Sequence, residues 1–291
     1  MNKRYCIFAS CKIKTLYNSM KKILFLLGIC TVSFYQSQTN RFIYELQLRN
    51  DNTQEYRKAL MNLDISAKSV KFYDKNFADY DSINKSSQMG NSHHSTKTDQ
   101  VVERQPNSFK NNWYRDFFEY FVVKTNDEMK WKLLSDTQTY NGYTLQKATT
   151  DFGGRQWTAW FSKEIDIQEG PYKFRGLPGL IFIVEDDKKD FIYKLVKNIK
   201  LQETYITKDF VETHYGKAPL PISIEKFNKY IEDTYADPIR MFSDGVKNGG
   251  STFGKETVES LDELNKKKIM LQKGIKSRYI YIEKDKEPKF N

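Results

Sequence analysis

Phe42, Tyr44, Leu46 and Leu48 alternate with Ile43, Glu45, Gln47 and Arg49. A period of two predicts a half-buried β-strand. Residues 56–74 supply two more strand-like runs, the second around 70–73. Residues 83–112 are instead rich in Ser, Asn, Gln, Thr and Lys and nearly empty of apolar side chains, which predicts a long polar loop. Strand-like sequence resumes at Trp113, so this loop interrupts a domain rather than joining two. Short β-prone runs then follow at 117–124, 129–135, 143–150, 155–162, 180–185 and 191–199, with turn residues at Asn141-Gly142, Gly153-Gly154 and Asp186-Asp187. Such regular spacing predicts an antiparallel meander.

In two of these runs both faces are apolar. Trp157, Ala159 and Phe161 oppose Thr158 and Trp160, and Leu180, Phe182 and Val184 oppose Ile181 and Ile183. The sheet must be covered on both sides there. Downstream, Ser223 is a helix N-cap and Ile224, Phe227, Ile231 and Tyr235 follow at helical spacing until Asp237-Pro238. Residues 243–254 are Gly-rich and polar, 255–271 predict a charged helix, and 278–283 a last strand. The expected fold is mainly β (α+β): a strongly curved antiparallel sheet or half-barrel with one or two C-terminal helices packed on it.

The chain has 291 residues and a formal charge of +10. Of its 47 basic residues, six lie in the first 37 positions, where there is no acid, which leaves 41 against 37 acids beyond them. The excess is therefore a feature of the leader, and no nucleic-acid partner is expected. Lys21 and Lys22 precede twelve apolar residues at 23–34 and polar sequence at 36–40. That is the layout of a secretory signal, shorter than the roughly 20 residues that span a bilayer. The expectation is an upstream extension and signal peptide at 1–37, starting effectively at Met20 and cleaved near Ser37-Gln38, followed by a single β-rich domain at 38–291. Localisation is then exported, in the periplasm or associated with the outer membrane or extracellular space, with no membrane span after signal removal. Cys6, Cys11 and Cys30 all precede the cleavage point, so the mature chain has no disulfide, thiol nucleophile or thiolate metal site.

Candidate chemistry is sparse. Residues 249–255, GGSTFGK, match the glycines and lysine of a phosphate loop, but Glu256 stands where a Ser or Thr would meet magnesium. Ser82 to Lys85 and Ser223 to Lys226 have S-x-x-K spacing without the companion motifs. His93 and His94 fall in the polar stretch, leaving His214 as the histidine in folded sequence. Glu164, Asp166, Glu169, Asp186 and Asp187 are abundant without singling out a pair. Neither a metal nor a cofactor is expected. Trp157, Trp160, Tyr172 and Phe174 have two readings: core aromatics, or the lining of a pocket for an apolar or amphipathic ligand.

The densest signal is 169–187, EGPYKFRGLPGLIFIVEDD, in which Gly and Pro shape a tight turn that feeds a buried strand. Its hexapeptide Gly176-Leu177-Pro178-Gly179-Leu180-Ile181 resembles the signature of the GLPGLI family, exported proteins of Bacteroidetes. QKATTDFGGRQWTAWFSKEI at 146–165 and ADPIR at 236–240 are similar to that family's flanking sequence. Leu145 departs from it, where many relatives carry a cysteine. The resemblance implies a β-rich envelope protein with no established activity. The motif positions Gly170, Pro171, Gly176, Leu177, Pro178, Gly179, Leu180 and Ile181 carry over, and no catalytic role does. The leading expectation is an exported, non-enzymatic carrier or binding protein for an amphipathic ligand. The alternatives are an envelope scaffold with a packed core that binds a partner protein, and a hydrolase using carboxylates and His214.

Overall fold

The computed structural model describes residues 38–49, 55–86, 98–240, 251–253, 256–258 and 260–290. The predicted signal segment, the three cysteines, His93-His94 and most of the Gly-rich stretch lie outside these residues. Twelve strands form one open sheet, built from β1 (Thr39–Leu48), β2 (Arg57–Ile65), β3 (Val70–Asp74), β4 (Val101–Arg104), β5 (Lys110–Phe117), β6 (Glu119–Asn126), β7 (Lys132–Tyr140), β8 (Tyr143–Phe152), β9 (Arg155–Ser162), β10 (Leu180–Asp186), β11 (Phe191–Leu201) and β12 (Leu220–Ile222). The spatial order is β12-β6-β5-β4-β3-β2-β1-β11-β10-β9-β8-β7. Most sequence neighbours pair antiparallel, but β6 and β7 lie near opposite edges of the sheet and β11 returns to lie beside β1, so the expected meander is broken after β6. The sheet is mixed rather than purely antiparallel, because β12 pairs parallel to β6.

The sheet bends around one loop. Tyr172 packs on Trp113 of β5 with ring centroids 6.4 Å apart, and Phe174 packs on Trp157 of β9 at 4.6 Å. Those strands are seven places apart in the order. On a flat sheet seven spacings would separate them by roughly 34 Å, whereas two residues of chain reach about 7 Å. Curvature closes the difference. Register shifts in β10 between Ile181 and Ile183 and opposite β1 at Ile43/Tyr44 are the bulges that supply part of it. The first of them breaks the strict alternation expected for residues 180–184, although all five are buried as that pattern required.

Of the polar loop expected over 83–112, residues 87–97 lie outside the described residues, and the rest includes helix and strand. Helix α1 (Lys75–Ser86) runs into its start, β4 lies inside it and β5 begins before its end. Composition failed there because α1 rests on few apolar contacts, with Phe77, Ala78 and Asp81 as its buried residues, and β4 is four residues long. The strand expected at 129–135 starts later and continues to Tyr140, and it is the exposed edge of the sheet. No strand forms at 278–283: Tyr279 and Ile282 are buried against side chains, without a ladder.

Two helices cover the β5–β6 end. In α2 (Ile224–Ala236), Ser223 caps by accepting the Lys226 N–H at 3.3 Å. In α3 (Leu261–Lys276), Ser260 accepts from the Glu263 N–H at 3.2 Å. The helix expected over 255–271 is thus displaced towards the C-terminus by its own capping pair. Phe227 and Ile231 of α2 and Ile275 of α3 pack with Phe117, Phe121 and Tyr279.

Candidate functional site

The loop between β9 and β10 carries the sequence's densest motif, and it is buried by the sheet that bends around it. Tyr172, Lys173, Phe174 and Arg175 are all nearly inaccessible, while Gly176 and Pro178 reach the surface. The loop binds itself first: Gly176 N–H donates to Gln168 O at 3.1 Å, Phe174 N–H to Pro171 O at 3.0 Å and Ile181 N–H to Glu169 O at 3.0 Å. Two motif glycines are required by space. A Cβ on Gly179, whose φ is +144°, would stand 2.0 Å from the Ser162 carbonyl oxygen, and one on Gly170 would stand 2.8 Å from Ile181 Cδ1. Leu177, Leu180 and Ile181 join the main core, and Tyr44 donates its hydroxyl to Ile181 O at 2.6 Å.

Ionic side chains of the loop are neutralised within the fold. Glu169 accepts from Arg104 Nε at 3.0 Å and Nη2 at 2.5 Å through one oxygen, and from Arg175 Nε at 3.1 Å through the other. Arg104 also donates to Tyr172 O at 2.8 Å. Lys173 places its Nζ 2.7 Å from Glu283 and 3.2 Å from Asp127, with Tyr172 donating its hydroxyl to Glu283 at 2.5 Å. Lys286 completes this second group through Asp127 and Glu283. Burial opposes the charged forms of Asp127 and Glu283, yet Lys173 and Lys286 hold both carboxyls below the usual range. A third group joins Arg155 to Asp186 at 2.7 Å and Asp190 at 2.9 Å, and the same guanidinium donates to Ile282 O at 3.0 Å. These pairs tie the loop and β9 to β4, to the residues after β6 and to the C-terminal segment.

The four aromatic candidates separate. Trp157, Tyr172 and Phe174 are core side chains, with Phe174 in ring contact with Trp131, Phe152, Trp157 and Tyr193. Trp160 is half-buried, with Lys147 Nζ 5.8 Å from its ring. Clefts of 710, 600, 470 and 320 Å3 open on the surface, and none of the four aromatics lines them. Leu145, the departure from the family pattern, is fully buried.

His214 does meet carboxyls. It borders a closed space of about 20 Å3 with Asp99, Asp116, Tyr114, Tyr120 and Tyr279. That is room for about one water and for no substrate. Beside it Arg115 is completely buried: its Nε meets the Asp99 carboxyl, and its guanidinium lies 4.0 Å from the Trp113 ring and 4.4 Å from the Phe227 ring. Burial pushes the Asp99 carboxyl up to about 7 against the pull of Arg115, with Asp116 pushing it further. Sequence reasoning passed over Arg115, although Trp113, Arg115 and Phe117 lie on one face of β5 and a charge in an apolar row signals a buried ion pair. Among the described residues no three His, Cys, Asp or Glu gather as a metal would need.

A raised acid pKa destabilises the folded state over a defined window. Between the unfolded value near 4 and about 7 the native protein binds more protons than the unfolded chain, so stability falls as pH rises, by up to about 1.4 kcal/mol per pH unit. Asp186, raised by burial, adds in the same direction. Asp127 and Glu283, held low, contribute stability that is lost as pH falls below about 4. The Asp99→Asn variant, which mimics the protonated carboxyl, is expected to have similar stability near pH 4 and to show a shallower decline from pH 4 to 7 in urea titrations. An unchanged slope would refute this assignment.

Comparison with known proteins sharpens one stretch. Residues 153–183 match the profile of a family described as "Protein of unknown function (Porph_ging)". The matched stretch runs from the Gly153-Gly154 turn through β9 and the buried loop into β10, the part of the chain with the densest buried pairing. No curated protein matches the chain. Among solved structures, "Structure of PNGF-II in C2 space group" aligns with a TM-score of 0.49 and 13% identity over 66% of this chain and 32% of that one. "Structure of PNGF-II in P21 space group" aligns with a TM-score of 0.47 and 12% identity over 66% and 33%. The chain spans about a third of the length of these proteins.

Proposed function

We propose that the protein is an exported, non-enzymatic binding protein of the cell envelope, a GLPGLI-type domain that engages its partner on its surface around a solid interior. The observation that carries this reading is the packing of Trp157, Tyr172 and Phe174 ring to ring inside the bent sheet. A carrier would need an apolar space beside those side chains. The loop's charges also support it: Glu169, Lys173 and Arg175 are all spent on internal partners, so in this reading the ionic side chains of the motif hold the fold rather than a ligand. In this reading the sheet is a half-barrel plugged by its own β9–β10 loop. Among the described residues no helix is long and apolar enough to cross a membrane.

Native mass spectrometry of the protein isolated from its own host's envelope fraction tests the proposal. The expected spectrum contains the lipid-free chain and a complex with an envelope component that dissociates without unfolding it. A stoichiometric lipid released only on unfolding would restore the carrier reading and overturn this one.

A further inference from the structure

The largest of the surface clefts, 710 Å3, lies between the β2–β3 turn and the strands β4, β5 and β6. Its wall is written by register. Lys110 pairs with Asn126 and Asn112 with Lys124, so two lysines and two amides alternate on adjacent corners of one sheet face. Lys68 and Ser69 border the same cleft from the turn. Diagonal neighbours on a sheet stand roughly 7–8 Å apart, which brings the Lys110 and Lys124 stems together without an acid between them. Among the described residues neither these two nor Lys68 forms an ion pair.

Of the two other charges in the lining, Glu103 offsets one lysine, since it faces the same side of the sheet opposite Asn112. Arg104 is consumed by Glu169, and Glu103 accepts from the Tyr114 hydroxyl at 2.8 Å with Lys71 at 3.9 Å. Two positive charges in excess therefore face one concavity, an arrangement that favours an anion. The rest of the lining states what kind of anion. It consists of amides and hydroxyls with no aromatic ring, so a nucleobase would have nothing to stack on, and an acyl chain would meet only polar groups. The volume is within the small-molecule range of roughly 300–1,000 Å3, far more than one inorganic anion fills.

From this arrangement we infer that the cleft binds an anionic carbohydrate, a hydroxyl-rich chain whose acidic groups pair with Lys68, Lys110 and Lys124. The inference rests on the surface-binding reading and names the class of its ligand. Its failure is separable, since losing this site would leave the lipid-free spectrum of the preceding test unchanged.

The full chain is titrated with trigalacturonate as the anionic probe, with maltotriose and inorganic phosphate as controls, by calorimetry and by thermal melting. Saturable binding of trigalacturonate with a raised Tm is expected, weakening as salt rises, with maltotriose and phosphate each at least about tenfold weaker. Lys110→Gln and Lys124→Gln should each weaken it by about tenfold or more, the loss of one charge-assisted contact. Both variants keep or raise the Tm of the free protein, because they relieve repulsion. Absence of saturable binding, equal binding by phosphate alone, or affinity unchanged in both variants would overturn the assignment.

Discussion

Replacing Glu169 by alanine is expected to lower the free energy of unfolding by about 3–5 kcal/mol, the usual cost of stranding a buried charge. Arg104 has no exposed side-chain surface, and Glu169 is its counter-ion; Arg175, nearly as buried, shares the same carboxylate. Alanine removes both pairings and leaves two guanidiniums in the interior without water to replace the carboxylate. The loss should therefore far exceed that of a surface pair such as Lys229 with Asp233, both mostly exposed, worth about 0–1 kcal/mol. Urea denaturation measures the difference. A double variant, Arg104→Met with Glu169→Leu, should recover the share due to Arg104, because an apolar pair of similar volume avoids the desolvation of two ions, while Arg175 still lacks its carboxylate. A double variant as unstable as Glu169→Ala would show that the hydrogen bond from Arg104 to Tyr172 O, rather than the ion pair, carries the effect.

Gly179→Ala is expected to be comparably severe, on the order of 4 kcal/mol, and for an unrelated reason. At φ +144° an L-residue is strained by itself, at roughly 1–3 kcal/mol. The added carbon also meets the Ser162 carbonyl at 2.0 Å, and Ser162 belongs to β9, directly paired with β10 through Leu180. Backbone rather than a flexible side chain must move, which costs a further 1–3 kcal/mol or so. Pro178 next to it is exposed, so Pro178→Ala is the matched control and should cost about 1 kcal/mol or less. A Tm drop for Gly179→Ala no larger than the control's would show that the hairpin entering β10 can relax.

The two substitutions separate what a reader of the chain can see from what the fold adds. Gly179 was legible: a Gly-Pro-Gly cluster before an apolar run signals a bend feeding a buried strand, and residues 180–184 are buried as that signal required. Glu169 was not, because one acid among five in its neighbourhood looks like any other until Arg104, 65 positions away, is brought against it. The same holds for Lys173, whose partners Asp127 and Glu283 come from opposite sides of the motif in sequence. Of the aromatic candidates, Trp157 was legible as a large side chain on a strand and Phe174 as one in the turn that feeds β10. That they fill the interior instead of lining a pocket follows from the loop turning inward.

Local pattern settled most of the strands, hairpins such as β8 with β9, the Ser223 cap of α2 and the bend before β10, since each depends on neighbours within a few residues. The return of β11 to β1, the parallel seat of β12, the bending of the sheet around residues 169–181 and the pairing of every buried charge were decided in three dimensions. The reason is one of range: periodicity and turn chemistry act along the backbone, whereas a buried ion is tolerated only where a distant counter-ion arrives, and no segment specifies that alone.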